Sequence, residues 1–151
     1  MLTFPFFKKK TFFNSAEEKQ IMASIRHAET ASSGEIRVYV ESHCTTTPPE
    51  RTIDMFKKLK MHRTKERNGV LLYVAIKDHK FAIFGDEGIH QKMGIQFWKT
   101  EAATLKSFFE KEQIVEGLCQ VVEDIGQTLK VHFPRASDDK NELPDKPVYG
   151  K

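Results

Sequence analysis

Apolar positions along the chain recur with two periods, one near four and one of two, and their order predicts a mixed α/β fold. Ile21, Ile25 and Ala28 share a helical face after Ser15-Ala16-Glu17-Glu18, a capping-box pattern with Ser15 as N-cap. Ser32-Ser33-Gly34 supplies small residues for leaving this helix, which ends near Thr30. Residues 35–40 alternate polar and apolar side chains, the period of a strand with one well-buried side. Thr47-Pro48-Pro49-Glu50 then offers an N-cap threonine, a proline at the first helical position and a glutamate at the third. The second helix turns Ile53, Phe56 and Leu59 inward and closes in a basic stretch over residues 57–67.

Asn68-Gly69 breaks that pattern, and the apolar run 70–76 suits a central strand covered on both faces. Strand, helix, strand in this order is a βαβ unit with parallel strands and a right-handed crossover. The turn Lys77-Asp78-His79-Lys80 is too short for anything but an antiparallel return through Phe81-Ala82-Ile83-Phe84. The sheet is therefore mixed, with three to four strands flanked by about four helices. Trp98, Ala102, Leu105 and Phe109 mark the third helix, and Ile114, Leu118, Val121, Val122, Ile125 and Leu129 the fourth. From Pro134 onward prolines are scattered and there is little to bury, which predicts a mobile tail over 134–151.

With 151 residues, 39% hydrophobic and 30% charged, the chain has the size and composition of one packed domain. A net charge of +3 does not by itself predict a nucleic-acid partner. Cys44 and Cys119 form no CxxC and no disulfide framework, as expected in a reducing cytoplasm. No run approaches the roughly 18 apolar residues of a membrane span. Phe4-Pro5-Phe6-Phe7 precedes Lys8-Lys9-Lys10, the reverse of a signal peptide's order. These features predict a cytoplasmic monomer, with an N-terminal Phe/Lys segment over 1–13 whose phenylalanines pack on the domain or touch an anionic membrane surface.

Gly85-Asp86-Glu87-Gly88-Ile89-His90 places two carboxylates and an imidazole in a glycine-flanked loop after the third strand. Hard cations such as Ca²⁺ or Mg²⁺ take carboxylate oxygens on a flexible backbone, although an acidic turn with no ligand has the same composition. Antiparallel pairing brings this loop beside Asn68, Gly69 and the basic end of the second helix. Arg63, Lys65 or Arg67 is then placed to hold a phosphate, while a solvated basic run that complements the helix dipole explains them equally. His43-Cys44 is no nucleophile and base, because neighbours on a strand end point to opposite sides. His27, His62, His79 and His132 lack zinc-ligand spacing, and no GxGxxG or GxxxxGK[ST] loop occurs.

Asn14-Ser15-Ala16-Glu17-Glu18, Ser33-Gly34-Glu35-Ile36-Arg37-Val38-Tyr39-Val40, Arg67-Asn68-Gly69-Val70-Leu71-Leu72-Tyr73-Val74-Ala75 and Phe84-Gly85-Asp86-Glu87-Gly88-Ile89 together resemble the TPM domain, the TLP18.3/Psb32/MOLO-1 family, over residues 14–133. The resemblance implies a Rossmann-like α/β/α sandwich, a divalent-cation site proposed for some members and a weak acid phosphatase activity proposed for others. It also implies a small cytoplasmic bacterial branch, since many relatives are secreted or tethered. The chain departs from the family at two acidic positions, where His90 and the segment Lys8-Lys9-Lys10-Thr11 now stand. The leading expectation is a non-catalytic domain taking Ca²⁺ or Mg²⁺ through Asp86, Glu87 and Asn68. A weak metal-dependent acid phosphatase, with Arg63 or Arg67 steadying the phosphate, and a protein or membrane-surface adaptor are the alternatives.

Overall fold

Capping, hairpin and pairing signals are read out in a computed structural model that describes residues 12–135 and 145–151. Helices α1 (Ser15–Thr30), α2 (Pro48–Lys58), α3 (Glu87–Met93), α4 (Ile95–Glu110) and α5 (Ile114–His132) accompany strands β1 (Glu35–Glu41), β2 (Gly69–Ala75), β3 (Lys80–Gly85) and β4 (Val148–Tyr149). The N-terminal Phe/Lys segment falls outside the described residues up to Thr11, while Phe13 is buried in the core.

The first helix starts one residue earlier than its capping pattern suggests. Asn14 is the N-cap: its side chain accepts from the Glu17 amide at 2.8 Å, and Glu17 accepts from the Asn14 amide at 2.8 Å. An asparagine before a serine takes the cap because its longer side chain closes the same reciprocal pair one position upstream. Thr47 caps α2 as expected, accepting from the Glu50 amide at 3.3 Å.

The sheet order is β3-β2-β1-β4, with β1 parallel to β2 and to β4, and β3 antiparallel to β2. Side-chain alternation divides its interior into two cores. Ile36, Val38, Val40, Val70, Leu72 and Val74 face α1, α4 and α5, whereas Tyr39, Leu71, Tyr73 and Ala75 face Met55, Phe56 and Met61 on the α2 side. The result is a three-layer α/β/α sandwich. Because β2 is covered on both faces, its run is apolar throughout, and every residue of it is buried.

Three expectations are corrected. Ile53 is 38% exposed, because α2 rests on the sheet through Thr52, Met55 and Phe56. The segment after β3 is no plain loop: Asp86 is the N-cap of α3, so a fifth helix precedes the Trp98 helix. Residues 145–151 are not a free tail. Val148 and Tyr149 pair with Tyr39 and Val40, Gly150 donates to the Val40 carbonyl at 2.7 Å, and the Ser42 amide donates to Lys151 at 2.7 Å. Tyr149 is 5% exposed and its hydroxyl donates to Glu18 at 2.5 Å. A two-residue strand is held by the ring it buries.

Candidate functional site

Where β3 ends, its last residues meet the turn that starts β2. The Asp86 amide donates to the Gly69 carbonyl at 2.9 Å, and the Gly88 amide donates to the Arg67 carbonyl at 2.9 Å. Arg67 reaches this position with φ of 52°, in the left-handed region that costs a side-chain-bearing residue about 1 kcal/mol. That conformation directs its guanidinium onto the acidic pair. Nε donates to Asp86 Oδ2 at 2.7 Å, Nη2 to Asp86 Oδ1 at 2.9 Å and Nη1 to Glu87 Oε1 at 3.2 Å. The Glu87 amide adds a fourth bond to Asp86 Oδ1 at 2.8 Å. Hydrogen bonding to Asp86 raises the Arg67 pKa further.

Both glycines of this segment are fixed by contact. A Cβ at Gly88 would lie 2.1 Å from the Glu66 carbonyl oxygen and 2.6 Å from that of Arg67. One at Gly85 would lie 2.3 Å from the Trp98 ring. The Gly-Asp-Glu-Gly spacing therefore answers to close packing.

Sequence reasoning assigned Asp86, Glu87 and Asn68 to one cation. The first two come together, but Asn68 turns the other way: its Nδ2 donates to Ser33 Oγ at 3.0 Å, and Ser33 in turn donates to Glu66. Asp86 has both oxygens engaged and its charge matched by Arg67, so a cation taken there has to displace the guanidinium. Among the described residues no three His, Cys, Asp or Glu side chains are grouped to hold a metal. Arg63 and Lys65 stay exposed and away from the acidic pair, so of the three basic candidates Arg67 is the one that reaches it.

Beside the ion cluster an open groove of about 490 Å³ runs between β3 and the α3–α4 corner, lined by Arg67, Ile83, Phe84, Glu87, Ile95 and Trp98. His90 also lines it, and Trp98 Nε1 donates to His90 Nδ1 at 3.1 Å, leaving the imidazole proton on Nε2. Ile95 is 61% exposed there. The groove is apolar along its length and charged at one end, the usual form of a ligand site. The sequence offered no signal for Ile95 or Trp98 as partners of Arg67, since they meet through α3.

At the opposite end of β1, His43 Nδ1 pairs with Asp78 at 2.8 Å and the Cys44 amide donates to Asp78 at 2.7 Å. Cys44 Sγ is directed at the Thr46 carbonyl, 3.3 Å away, so His43 and Cys44 form no catalytic pair. Glu41 next to them is buried and held by Arg51 at 2.8 and 2.9 Å and by the Tyr73 hydroxyl. Burial opposes ionisation, but these partners outweigh it and hold the Glu41 carboxyl below its usual range. This closed network joins α2 to the sheet.

A three-layer sandwich with a groove at the β3 corner, and no helix among the described residues long and apolar enough to cross a membrane, make this a small α/β domain. The family model of the TPM domain matches residues 7–128, and the chain belongs to that family. It is similar to BA42 from the psychrophilic bacterium Bizionia argentinensis, known by NMR, at 39% identity over 95% of this chain and 99% of that one, with a TM-score of 0.87. The N-terminal domains of cg2496 from Corynebacterium glutamicum (12% identity, 91% and 80% covered, TM-score 0.64) and of a P. gingivalis protein (18%, 82% and 83%, 0.65) share the fold. No curated protein matches.

Proposed function

We propose that this chain is a non-catalytic TPM domain that binds a ligand in the groove beside Arg67. The observation that carries this reading is the juxtaposition of an apolar channel, formed by Ile83, Phe84, Ile95 and Trp98, with the Arg67–Asp86–Glu87 ion cluster at its mouth. Such a shape suits a molecule with an apolar body and a polar head. No hydroxyl or thiol side chain lines the groove, so hydrolysis of a phosphate ester there would fall to Glu87 or His90 acting on water.

Trp98 is the chain's single tryptophan and reports directly on occupancy. Titrating short-chain fatty acids and amphiphilic phosphates against Trp98 emission supports the reading if a saturable change appears that Ile95→Glu removes. Emission that stays flat for every amphiphile removes it.

A second reading keeps the divalent cation at Asp86 and Glu87, on the observation that these carboxylates adjoin and Glu87 is largely exposed. An incoming Ca²⁺ or Mg²⁺ must displace the guanidinium, so affinity there is low and Arg67→Ala raises it. Equal amide shifts for wild type and Arg67→Ala under the same Ca²⁺ titration would count against this second reading.

A further inference from the structure

The groove beside Arg67 lies along the rim of the sheet. Ile83 and Phe84 are consecutive on β3, so their side chains point to opposite faces. Ile83 packs toward the core under α4 and α5, and Phe84 sets its ring against Phe56 of α2, with 4.8 Å between centroids. Both nevertheless line the groove, which therefore follows the outer edge of the strand rather than either face. β3 is the last strand on this side of the order β3-β2-β1-β4. Among the described residues the backbone of 81–85 pairs with β2 alone, so every second residue turns an N–H and a C=O outward.

An edge of this kind is normally guarded by charge, proline or a bulge. Phe81-Ala82-Ile83-Phe84-Gly85 carries neither charge nor proline, and it pairs with β2 residue for residue without a bulge. Beside it Ile95, which is largely exposed, and Trp98 form an apolar wall. The Arg67 end of the groove suits an anion. Arg67 grips Asp86 through Nε and Nη2, but its Nη1 reaches only Glu87 at 3.2 Å, and that side chain is 64% exposed and free to swing into solvent. His90 adds a second donor: with Nδ1 accepting from Trp98, its Nε2–H has no partner among the described residues.

We propose that the groove takes the C-terminal end of an extended peptide, which adds a strand to β3, an inference that rests on the groove being a ligand site. The peptide runs parallel to β3, so its free carboxylate arrives at Arg67 Nη1 and His90 Nε2–H in place of the Glu87 side chain. Its backbone meets the open edge, and alternate apolar side chains lie on Ile95 and Trp98. The open edge selects a peptide over a fatty acid, which covers the apolar wall but leaves the outward N–H and C=O groups unmet.

Trp98 emission and amide hydrogen exchange at residues 81–85 test this with four probes. They are acetyl-Thr-Val-Thr-Val-Thr-Val as the free acid, its C-terminal amide, a depsipeptide of the same side chains whose esters lack N–H donors, and octanoate. The free acid is expected to bind saturably, to slow exchange at the outward amides of 81–85, and to bind about tenfold tighter than the amide or the depsipeptide. Ile95→Glu, which keeps the fold because Ile95 is exposed, is expected to abolish the emission change. Equal affinity for acid and depsipeptide, equal affinity for acid and amide, or binding without slowed exchange overturns the proposal. A response to octanoate with none to the free acid also overturns it and leaves the groove as a ligand site standing, whereas silence from all four probes removes both.

Discussion

Two acidic groups flank the end of the sheet where β1 and β2 begin, and the chain neutralises them by different means. Asp86 and Glu87 are adjacent in sequence and receive a guanidinium, Arg67, in three hydrogen bonds. Glu29 has acidic neighbours from other stretches of the chain, Asp145 and Glu35, and burial pushes it toward its protonated form. Adjacent carboxylates attract attention as a cation loop, yet a guanidinium already matches them, whereas burial favours the neutral form of Glu29. Proximity in sequence says how many charges are present, and only the fold says how many are matched.

Breaking the Arg67 side gives the largest expected effect. Gly88→Val drives a side chain into the Glu66 and Arg67 carbonyls, and urea denaturation should show a loss of about 3 kcal/mol with the loop displaced. Arg67→Ala is expected to lower the urea midpoint by less than Gly88→Val does, because it leaves Asp86 buried without its counter-charge. If Arg67→Ala is neutral, the guanidinium is not what balances this pair.

The Glu29 side is sharpened by pH. The titratable groups that act on Glu29 are Asp145 and Glu35, with Arg26 paired to Asp145 and Arg135 on the Glu29 carbonyl. Its folded-state pKa lies above the unfolded value of 4.5, so the native state binds the extra proton. Its contribution is complete below pH 4.5 and is lost as pH rises toward about 10, with a slope of up to about 1 kcal/mol per unit. Glu29→Gln should flatten that slope in cation-free buffer, as measured by urea midpoints between pH 5 and 9.

A third buried carboxyl supplies the smallest effect. Glu101 on α4 is 5% exposed, and burial followed by hydrogen bonding with Asp124 on α5 lifts it to about 8. Its contribution is full below pH 4.5 and falls as pH rises through 8. Glu101→Gln is expected to raise stability at pH 9 by about 1 kcal/mol and to leave pH 4 unchanged in thermal melts. A gain at both pH values would show that charge is not the cause.

The long periodic elements were legible in the sequence because each carries its own signal: a cap and proline at Thr47-Pro48, alternation over β1, and an apolar run over β2. Shorter features lacked one. Helix α3 has seven residues and begins Glu87-Gly88, which reads as a turn, and β4 has two residues whose partner is β1 near the other end of the chain. Ile53 was misassigned because α2 is rotated by about one position against the sheet. Of the candidate site, Asp86, Glu87 and Arg67 were named and do meet, while Asn68 points to Ser33 and Trp98 joins through a helix the sequence did not announce. The Glu29 cluster had one faint sign, an acidic residue in the last turn of a helix, where the dipole disfavours it.

The account's central claim, a ligand groove beside the Arg67 cluster, is tested most directly by Trp98 emission while amphiphilic phosphates are added to the wild-type protein and to Ile95→Glu. A saturable change in wild type that Ile95→Glu removes is the predicted result. Flat emission in both, or the same change in both, would contradict the account.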